Sequence, residues 1–272
     1  MLLVACMSVA CAARASTPPH QRPVTNGLVL RINVHGGFVA PTYALTRIPQ
    51  FSLYADGLVI MEGAQIELYP GPAISPVFSM KVDAAGMRTI LEAARRAGLD
   101  GPNRIYAHPA VADAPTTTFT FIENGKEHVI SAYALGMEAP PTVPESERKA
   151  RKALYELQTR LGNLRGWLPE GALSAERPFD YQGLAVIVST QPSDEQLQQA
   201  ELAWPLDRSI ADLAKPVVDG AVSCIAATGQ DVERLRPLVA KANELTPWKS
   251  EGKTYWLRFR PLLPDESGCP AL

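Results

Sequence analysis

Two dipeptides of the hairpin type constrain the fold of this chain most strongly. Asp56-Gly57 and Asn124-Gly125 each stand between two runs rich in apolar residues. A tight two-residue hairpin turn needs positive φ, which glycine, asparagine and aspartate adopt most readily. The dipeptides therefore predict antiparallel hairpins over residues 51–60 and 116–135.

Three amphipathic segments predict helices that pack on these sheets. Asp83 is suited to be the N-cap of the first helix, which ends with two arginines before Gly98. Another helix follows Thr228, where apolar residues recur at helical spacing. Pro237 lies inside that pattern, so this helix either kinks there or begins near Arg236.

The remaining amphipathic segment covers residues 146–164, where apolar residues recur at four-three spacing. Thr142 and Glu145 have the spacing of a capping box at its start. The pair Pro140-Pro141 comes just before and interrupts any regular element. The pattern therefore predicts a break in the chain near residue 141, followed by a long helix.

Together these elements predict an α+β fold of antiparallel sheets with hairpins and three packed amphipathic helices. The element order of residues 77–135 returns in residues 221–263, which suggests two similar lobes. We expect an N-terminal α+β lobe over residues 27–141. Residues 142–272 would then form the long helix and a C-terminal α+β lobe.

Residues 1–15 have the pattern of an export signal, and residues 16–26 form a proline-rich tether. Cys11 follows Ser-Val-Ala and resembles the lipid-modified cysteine of a bacterial lipobox. Cys6 is the alternative, although it would leave a shorter apolar run before the modified residue. Ordinary cleavage after Ala13-Arg14-Ala15 is the competing interpretation and would release a soluble protein.

Cys224 and Cys269 are the two cysteines left after the export segment. An even number of cysteines in an oxidising compartment favours a disulfide, so we predict that these two are bonded. A redox-active or nucleophilic thiol is the alternative, but neither cysteine has C-x-x-C spacing.

Charge and histidine spacing exclude several classes of function. The net charge is −2, which gives no electrostatic reason to expect a nucleic-acid partner. The histidines lack the three-to-five-residue spacing of zinc ligands, so no metal site is predicted. They are His20, His35, His108 and His128. No cofactor motif is found, and no cofactor is expected.

One short motif resembles part of an enzyme. The sequence His35-Gly36-Gly37-Phe38 looks like the oxyanion loop of lipases and esterases of the α/β-hydrolase family. No G-x-S-x-G nucleophile elbow accompanies it, and no catalytic residue is predicted. The competing interpretation is that paired glycines permit a turn after the first strand.

The last predicted strand, residues 253–263, offers the most suggestive surface. Because side chains alternate along a strand, Trp256, Arg258 and Arg260 share one face. An aromatic ring beside two guanidinium groups could bind an anionic or sugar-like ligand. The alternative is a structural face, either solvated or covered by a helix with both arginines paired to acids.

The tail 248–266 with Cys269, the 51–57 hairpin and the lipobox-like start are together similar to predicted lipoproteins of high-GC Gram-positive bacteria. That group has no assigned biochemistry, so the resemblance implies a location and not a mechanism. We expect an exported protein on the outer face of the cell membrane, held by a lipid anchor, or else secreted.

The expected role is binding or structural, towards an envelope protein or glycan, and no enzymatic activity is predicted. An envelope hydrolase acting on cell-wall ester or glycan is one alternative. A protease-inhibitor-like or docking module is another, with the proline-rich loop 69–76 as its contact.

Overall fold

A computed structural model describes residues 27–64, 67–191, 197, 199–218 and 222–270. Within these ranges the chain forms two mainly antiparallel sheets and six helices, which confirms the predicted α+β class. The strands are β1 (Leu28–Gly36), β2 (Phe51–Tyr54), β3 (Leu58–Glu62), β4 (Val77–Lys81), β5 (Arg104–Tyr106), β6 (Pro115–Glu123), β7 (Lys126–Tyr133), β8 (Arg177–Pro178), β9 (Gly183–Ser189), β10 (Leu202–Ala203), β11 (Lys215–Val218), β12 (Val222–Thr228), β13 (Pro247–Ser250) and β14 (Lys253–Pro261). The helices are α1 (Pro41–Thr46), α2 (Ala84–Arg96), α3 (Glu145–Leu161), α4 (Leu164–Trp167), α5 (Ile210–Leu213) and α6 (Gln230–Val239).

The first sheet has the strand order β5-β7-β6-β1-β2-β3-β4-β8. Both predicted hairpins belong to it, as β2–β3 and β6–β7. Asn124 and Gly125 have φ values of 53° and 75°, as the predicted two-residue turn requires. The other turn spans residues 55–57 and is one residue longer than predicted, with Gly57 at φ 80°.

Helices α2, α3 and α4 cover one face of the first sheet. The Asp83 side chain accepts a hydrogen bond from the amide of Gly86 at 2.7 Å, which confirms the predicted N-cap of α2. Leu154, Leu157 and Leu161 of α3 are buried in the same core as the strands β1 and β6. Burial of such side chains contributes roughly 1.5–3 kcal/mol each and holds these helices against the sheet.

The lobe boundary predicted at residue 141 is too early. Helix α3 packs on the first sheet, and β8 adds a strand to that sheet, so the chain reaches the second sheet only at β9. The predicted capping box also fails, because α3 begins at Glu145 with Pro144 as its N-cap. Buried Arg151 strengthens the attachment of α3 by donating hydrogen bonds to carbonyl groups at the ends of β5 and β7.

The second sheet has the order β10-β13-β14-β9-β12-β11, and α6 covers one of its faces. Helix α6 runs through Pro237, so the predicted alternative start near Arg236 is wrong. Pro237 lies in the last turn of a ten-residue helix that begins at Gln230. On β14, Tyr255, Leu257 and Phe259 alternate with Trp256, Arg258 and Arg260 and are buried in one cluster with residues of α6.

Two short segments lie between the sheets and connect their inner faces. In the segment that includes α1, Leu45 packs on the second sheet and Ile48 on the first. In the C-terminal tail, Leu262 packs on the second sheet and its neighbour Leu263 on the first. Each segment therefore contributes apolar side chains to both cores.

The predicted disulfide between Cys224 and Cys269 is present and holds this tail against β12. Cys224 is buried among apolar residues of the second sheet, with Cys269 packed against the same cluster. The bond closes a loop with a sequence separation of 45 residues. The disulfide therefore attaches the tail to the second sheet at Cys269, a few residues after Leu262 and Leu263.

The two lobes share their element types but not their connectivity. In the first sheet, central β1 pairs with β6, which is the first strand of its hairpin. In the second sheet, central β9 pairs with β14, which is the second strand of its hairpin. The similarity suggested by the element order therefore does not extend to strand pairing.

Candidate functional site

A cleft of about 310 Å³ opens where α1 lies across the second sheet. This volume is at the lower end of the roughly 300–1,000 Å³ that is usual for small-molecule sites. Trp256 and Arg258, two of the predicted binding residues, both contribute to its wall. The complete lining is Ala40, Thr42, Tyr43, Ile187, Ser189, Gln191, Glu244, Trp256 and Arg258.

The floor of the cleft comes from the pairing of β14 with β9. Trp256 is opposite Ser189, and Arg258 is opposite Ile187, so these four side chains share one face of the sheet. Helix α1 covers the neighbouring part of that face through Leu45, which is fully buried. Tyr43 is two positions before Leu45 and also lines the cleft.

Glu244 gives the cleft its charge balance. Its Oε2 lies 3.0 Å from Nη2 of Arg258, and its Oε1 accepts a hydrogen bond from the amide of Gly71 at 2.8 Å. The backbone amide of Glu244 donates in turn to the carbonyl of Gly71 at 2.9 Å. The carboxylate therefore holds the Arg258 guanidinium and also ties the loop before β4 to the second sheet.

Arg260 does not line the cleft, although it shares the strand face with Trp256 and Arg258. It is buried and donates two hydrogen bonds to Glu266, at 2.7 and 2.8 Å. Its Nε also donates to the carbonyl of Arg47 at 2.9 Å. The alternative interpretation is a face covered by a helix with both arginines paired to acids. Both arginines do have an acidic partner, Glu244 for Arg258 and Glu266 for Arg260.

Two loops from the first sheet carry exposed apolar side chains next to residues that line or contact the cleft. Strands β1 and β3 are both antiparallel to β2, so the loops that follow them leave from the same end of the sheet. The loop after β1 exposes Phe38 completely and leads into Tyr43, which is 48% exposed. The loop after β3 exposes Leu68 and Tyr69 just before Gly71.

A second polar cluster joins the first sheet to the C-terminal tail. Arg31 donates to both carboxylate oxygens of Asp265, at 2.8 and 3.0 Å, and the hydroxyl of Tyr54 donates to Asp265 at 2.7 Å. Burial alone would raise the pKa of Asp265, but these hydrogen bonds outweigh burial and lower the pKa below its usual value. Burial, together with the hydrogen bond to Asp265, raises the pKa of Tyr54. The cluster therefore holds a charged carboxylate between the lobes.

The other sequence motifs do not converge on this cleft. His35 is exposed, and its Nε2 lies 2.9 Å from the hydroxyl of Thr118 on the neighbouring strand. Gly36 and Gly37 have φ values of 78° and 79°, which agrees with the turn interpretation of the glycine pair. In loop 69–76, the backbone of Ala73 is hydrogen-bonded to the second sheet, which limits the part that a protease could contact.

Three further predictions concern metals, membranes and the export segment. In the described ranges no group of three or more potential ligands is placed to hold a metal ion. None of the helices in that part of the chain is both long and apolar enough to span a bilayer. Cys6, Cys11 and His20 lie outside the described residues.

Comparison with known proteins found no matching family model, no matching curated protein and no matching solved structure. What the cleft can bind therefore has to follow from its own residues. Sequence patterns missed Tyr43, Gln191 and Glu244. Pro247 pairs with Trp256, and the same register continued beyond β13 brings Glu244 close to Arg258. Because β13 was not predicted, this proximity could not be found from the sequence.

Proposed function

We propose that this is an exported, lipid-anchored protein of the cell envelope that binds a neutral glycan in the cleft. The observation that carries the proposal is the mixture of groups in the lining. Tyr43 and Trp256 provide aromatic surface, while Arg258, Gln191 and Ser189 provide hydrogen-bonding groups. A sugar ring needs both, because its C–H face packs on aromatic rings and its hydroxyls donate and accept.

The charge of the lining favours a neutral sugar over an anion. Among the described residues that line the cleft, Arg258 is the one cation and Glu244 the one anion, and they are paired. An anionic ligand would have to approach a carboxylate at close range, which costs free energy in a half-buried site. Sugar hydroxyls can bond either partner without this cost.

The lining also favours binding over hydrolysis of a glycan. Most glycoside hydrolases use two carboxyl groups on opposite sides of the scissile bond. Glu244 is the single carboxylate among the described lining residues, and both of its oxygens already have partners. Incubation of the protein with the same oligosaccharides should release no reducing ends, and release of them would support the hydrolase alternative.

Export and anchoring draw support from the disulfide and from the direction of β1. An intramolecular disulfide is typical of proteins that fold outside the cytosol. Strand β1 has nine residues, so its two ends are roughly 30 Å apart. The proposed tether joins the end at Leu28, whereas the loop that reaches the cleft leaves from the end at Gly36. Such a chain would present the cleft at a distance from its point of attachment.

The binding proposal is tested with an array of neutral glucan, mannan, galactan and arabinan oligosaccharides, followed by calorimetry. Tyr43→Ala should weaken binding about tenfold or more, because it removes an aromatic wall. Tyr155→Ala is the matched control, since Tyr155 is also 48% exposed but lies on α3, away from the lining. Equal affinities of the two variants, or no binding by the wild type, would refute the proposal.

The anchoring proposal has a separate test. Cells that express the wild type should incorporate labelled palmitate into this protein, and Cys11→Ser should abolish the label. Cys6→Ser should leave it unchanged. Label that persists in Cys11→Ser but disappears in Cys6→Ser would move the anchor to Cys6. No label in the wild type would support ordinary cleavage and release.

A further inference from the structure

We infer that Glu244 determines the specificity of the cleft, since it neutralises Arg258 and so excludes acidic sugars. This inference rests on the proposed function and names the residue that selects the class of ligand. Without the carboxylate, the same cleft would present an unpaired guanidinium next to aromatic rings. That combination favours carboxylate-bearing sugars through bidentate hydrogen bonds.

Glu244 forms a partly buried ion pair with Arg258 and is itself held in place by Gly71. The side chains are 19% and 23% exposed, so the pair is more shielded from water than an ordinary surface ion pair. The backbone of Glu244 is itself fixed by its hydrogen bond to Gly71, and its side chain is fixed by the Gly71 amide. A ligand carboxylate cannot simply displace Glu244 from Arg258 without breaking these contacts.

Arg47, which contacts the lining residue Tyr43, does not take the place of Glu244 in setting the charge of the cleft. The guanidinium of Arg47 lies 4.9 Å from the centre of the Tyr43 ring and donates to the carbonyl of Gly36. Arg47 is not part of the cleft lining. The charge seen by a ligand inside the cleft therefore depends on the pair of Glu244 and Arg258.

Glu244→Gln removes the negative charge of this side chain and keeps its size and shape. The amide oxygen of glutamine can still accept the hydrogen bond from Gly71, so the loop before β4 stays attached. Its NH₂ group cannot accept a hydrogen bond from Arg258, and the guanidinium loses its counter-charge. The variant thus keeps the shape of the cleft while changing its charge from neutral to positive.

The experiment measures binding of galacturonic acid oligomers and of galactose oligomers of equal length, which differ by the carboxylate on each ring. The wild type should bind the acidic oligomer weakly or not at all. Glu244→Gln should bind it about tenfold more tightly than the wild type, with an affinity that falls as salt is added. Glu244→Gln/Arg258→Met should lose this gain, because it lacks the guanidinium.

Glu123→Gln is the matched control. Glu123 is 26% exposed and pairs with Arg95 at 2.6 Å, but it lies on the first sheet and not in the cleft. This variant should bind both oligomers as the wild type does. Circular dichroism and thermal unfolding of all variants would show whether each is folded before its binding is compared.

Three results would overturn the inference: no gain of acidic binding in Glu244→Gln, a gain that persists without Arg258, or an equal gain in Glu123→Gln. The proposed function fails in a different way, when the wild type binds no neutral oligosaccharide on the array. A gain of acidic binding in Glu244→Gln would then still show that Glu244 controls the charge of the cleft.

Discussion

Loss of the Cys224–Cys269 disulfide should lower the free energy of unfolding by about 4 kcal/mol. The bond closes a loop with a sequence separation of 45 residues. In the loop-closure model, a crosslink over this length lowers the entropy of the unfolded chain by roughly 13 cal/mol/K, which corresponds to about 4 kcal/mol at room temperature. This is a large part of the roughly 5–15 kcal/mol that stabilises a typical protein.

Reduction of the wild type is the cleanest perturbation, because it changes nothing except the bond. The variant Cys224→Ala/Cys269→Ser gives a second measurement that does not depend on a reductant. Alanine is chosen at position 224 because that side chain is buried, where a serine hydroxyl would add its own cost of desolvation.

Urea unfolding followed by tryptophan fluorescence measures the effect. Trp248 is buried in the core of the second sheet, and Trp256 lies on the opposite face, so their emission reports on this lobe. The reduced protein should unfold at lower urea with a similar or larger dependence on denaturant. A difference below about 1 kcal/mol between oxidised and reduced protein would refute the loop-entropy reasoning.

Four further substitutions test the fold. Gly57→Ala should lower the free energy of unfolding by at least about 2 kcal/mol. Gly57 has φ 80°, and an added Cβ would overlap the carbonyl oxygen of Val82. Gly125 also has positive φ, but a Cβ added there would have nothing within 4 Å, so Gly125→Ala should lower the free energy of unfolding by only about 1 kcal/mol. Urea unfolding measures both variants, and an equal loss of stability in the two would contradict the steric argument. Arg151→Met should lower the free energy of unfolding by about 3 kcal/mol, because it removes the hydrogen bonds that Arg151 donates to backbone carbonyl oxygens. A loss below about 1 kcal/mol in the same assay would contradict this expectation. Asp265→Asn should cost about 1–2 kcal/mol at neutral pH. Because the folded pKa of Asp265 is lowered, its stabilisation is present above the unfolded pKa of about 3.9 and is lost as pH falls further, so the two proteins should converge in acid. A constant difference at every pH would contradict that assignment.

Local signals predicted the parts of this fold that depend on local chemistry. Asn124-Gly125 determines its hairpin through backbone conformation alone, and Asp83 begins α2 by accepting a hydrogen bond from a residue three positions away. The alternation in β14 also predicted that Trp256 and Arg258 share a face. These features need no knowledge of distant segments.

Features that depend on distant segments were missed. Helix α1 has six residues, too few for an apolar period, yet its position on β9 creates the wall of the cleft. The pairing of Arg260 with Glu266 and the position of Glu244 depend on how the tail and β13 pack, which a strand pattern does not contain. The boundary at residue 141 failed because two prolines resemble a domain linker, whereas the leucines of α3 pack on the first sheet.

The contact between Arg31 and Asp265 also determines when the structure can be completed during synthesis. These residues are 234 positions apart, and Asp265 leaves the ribosome after every described strand and helix. A nascent chain that ends at Pro261 contains the residues of every described strand but lacks Leu263, Asp265 and Glu266. The contacts that the tail makes with the first sheet can therefore form only after every described strand has been synthesised, whereas the residues of the Gly71–Glu244 contact are available earlier.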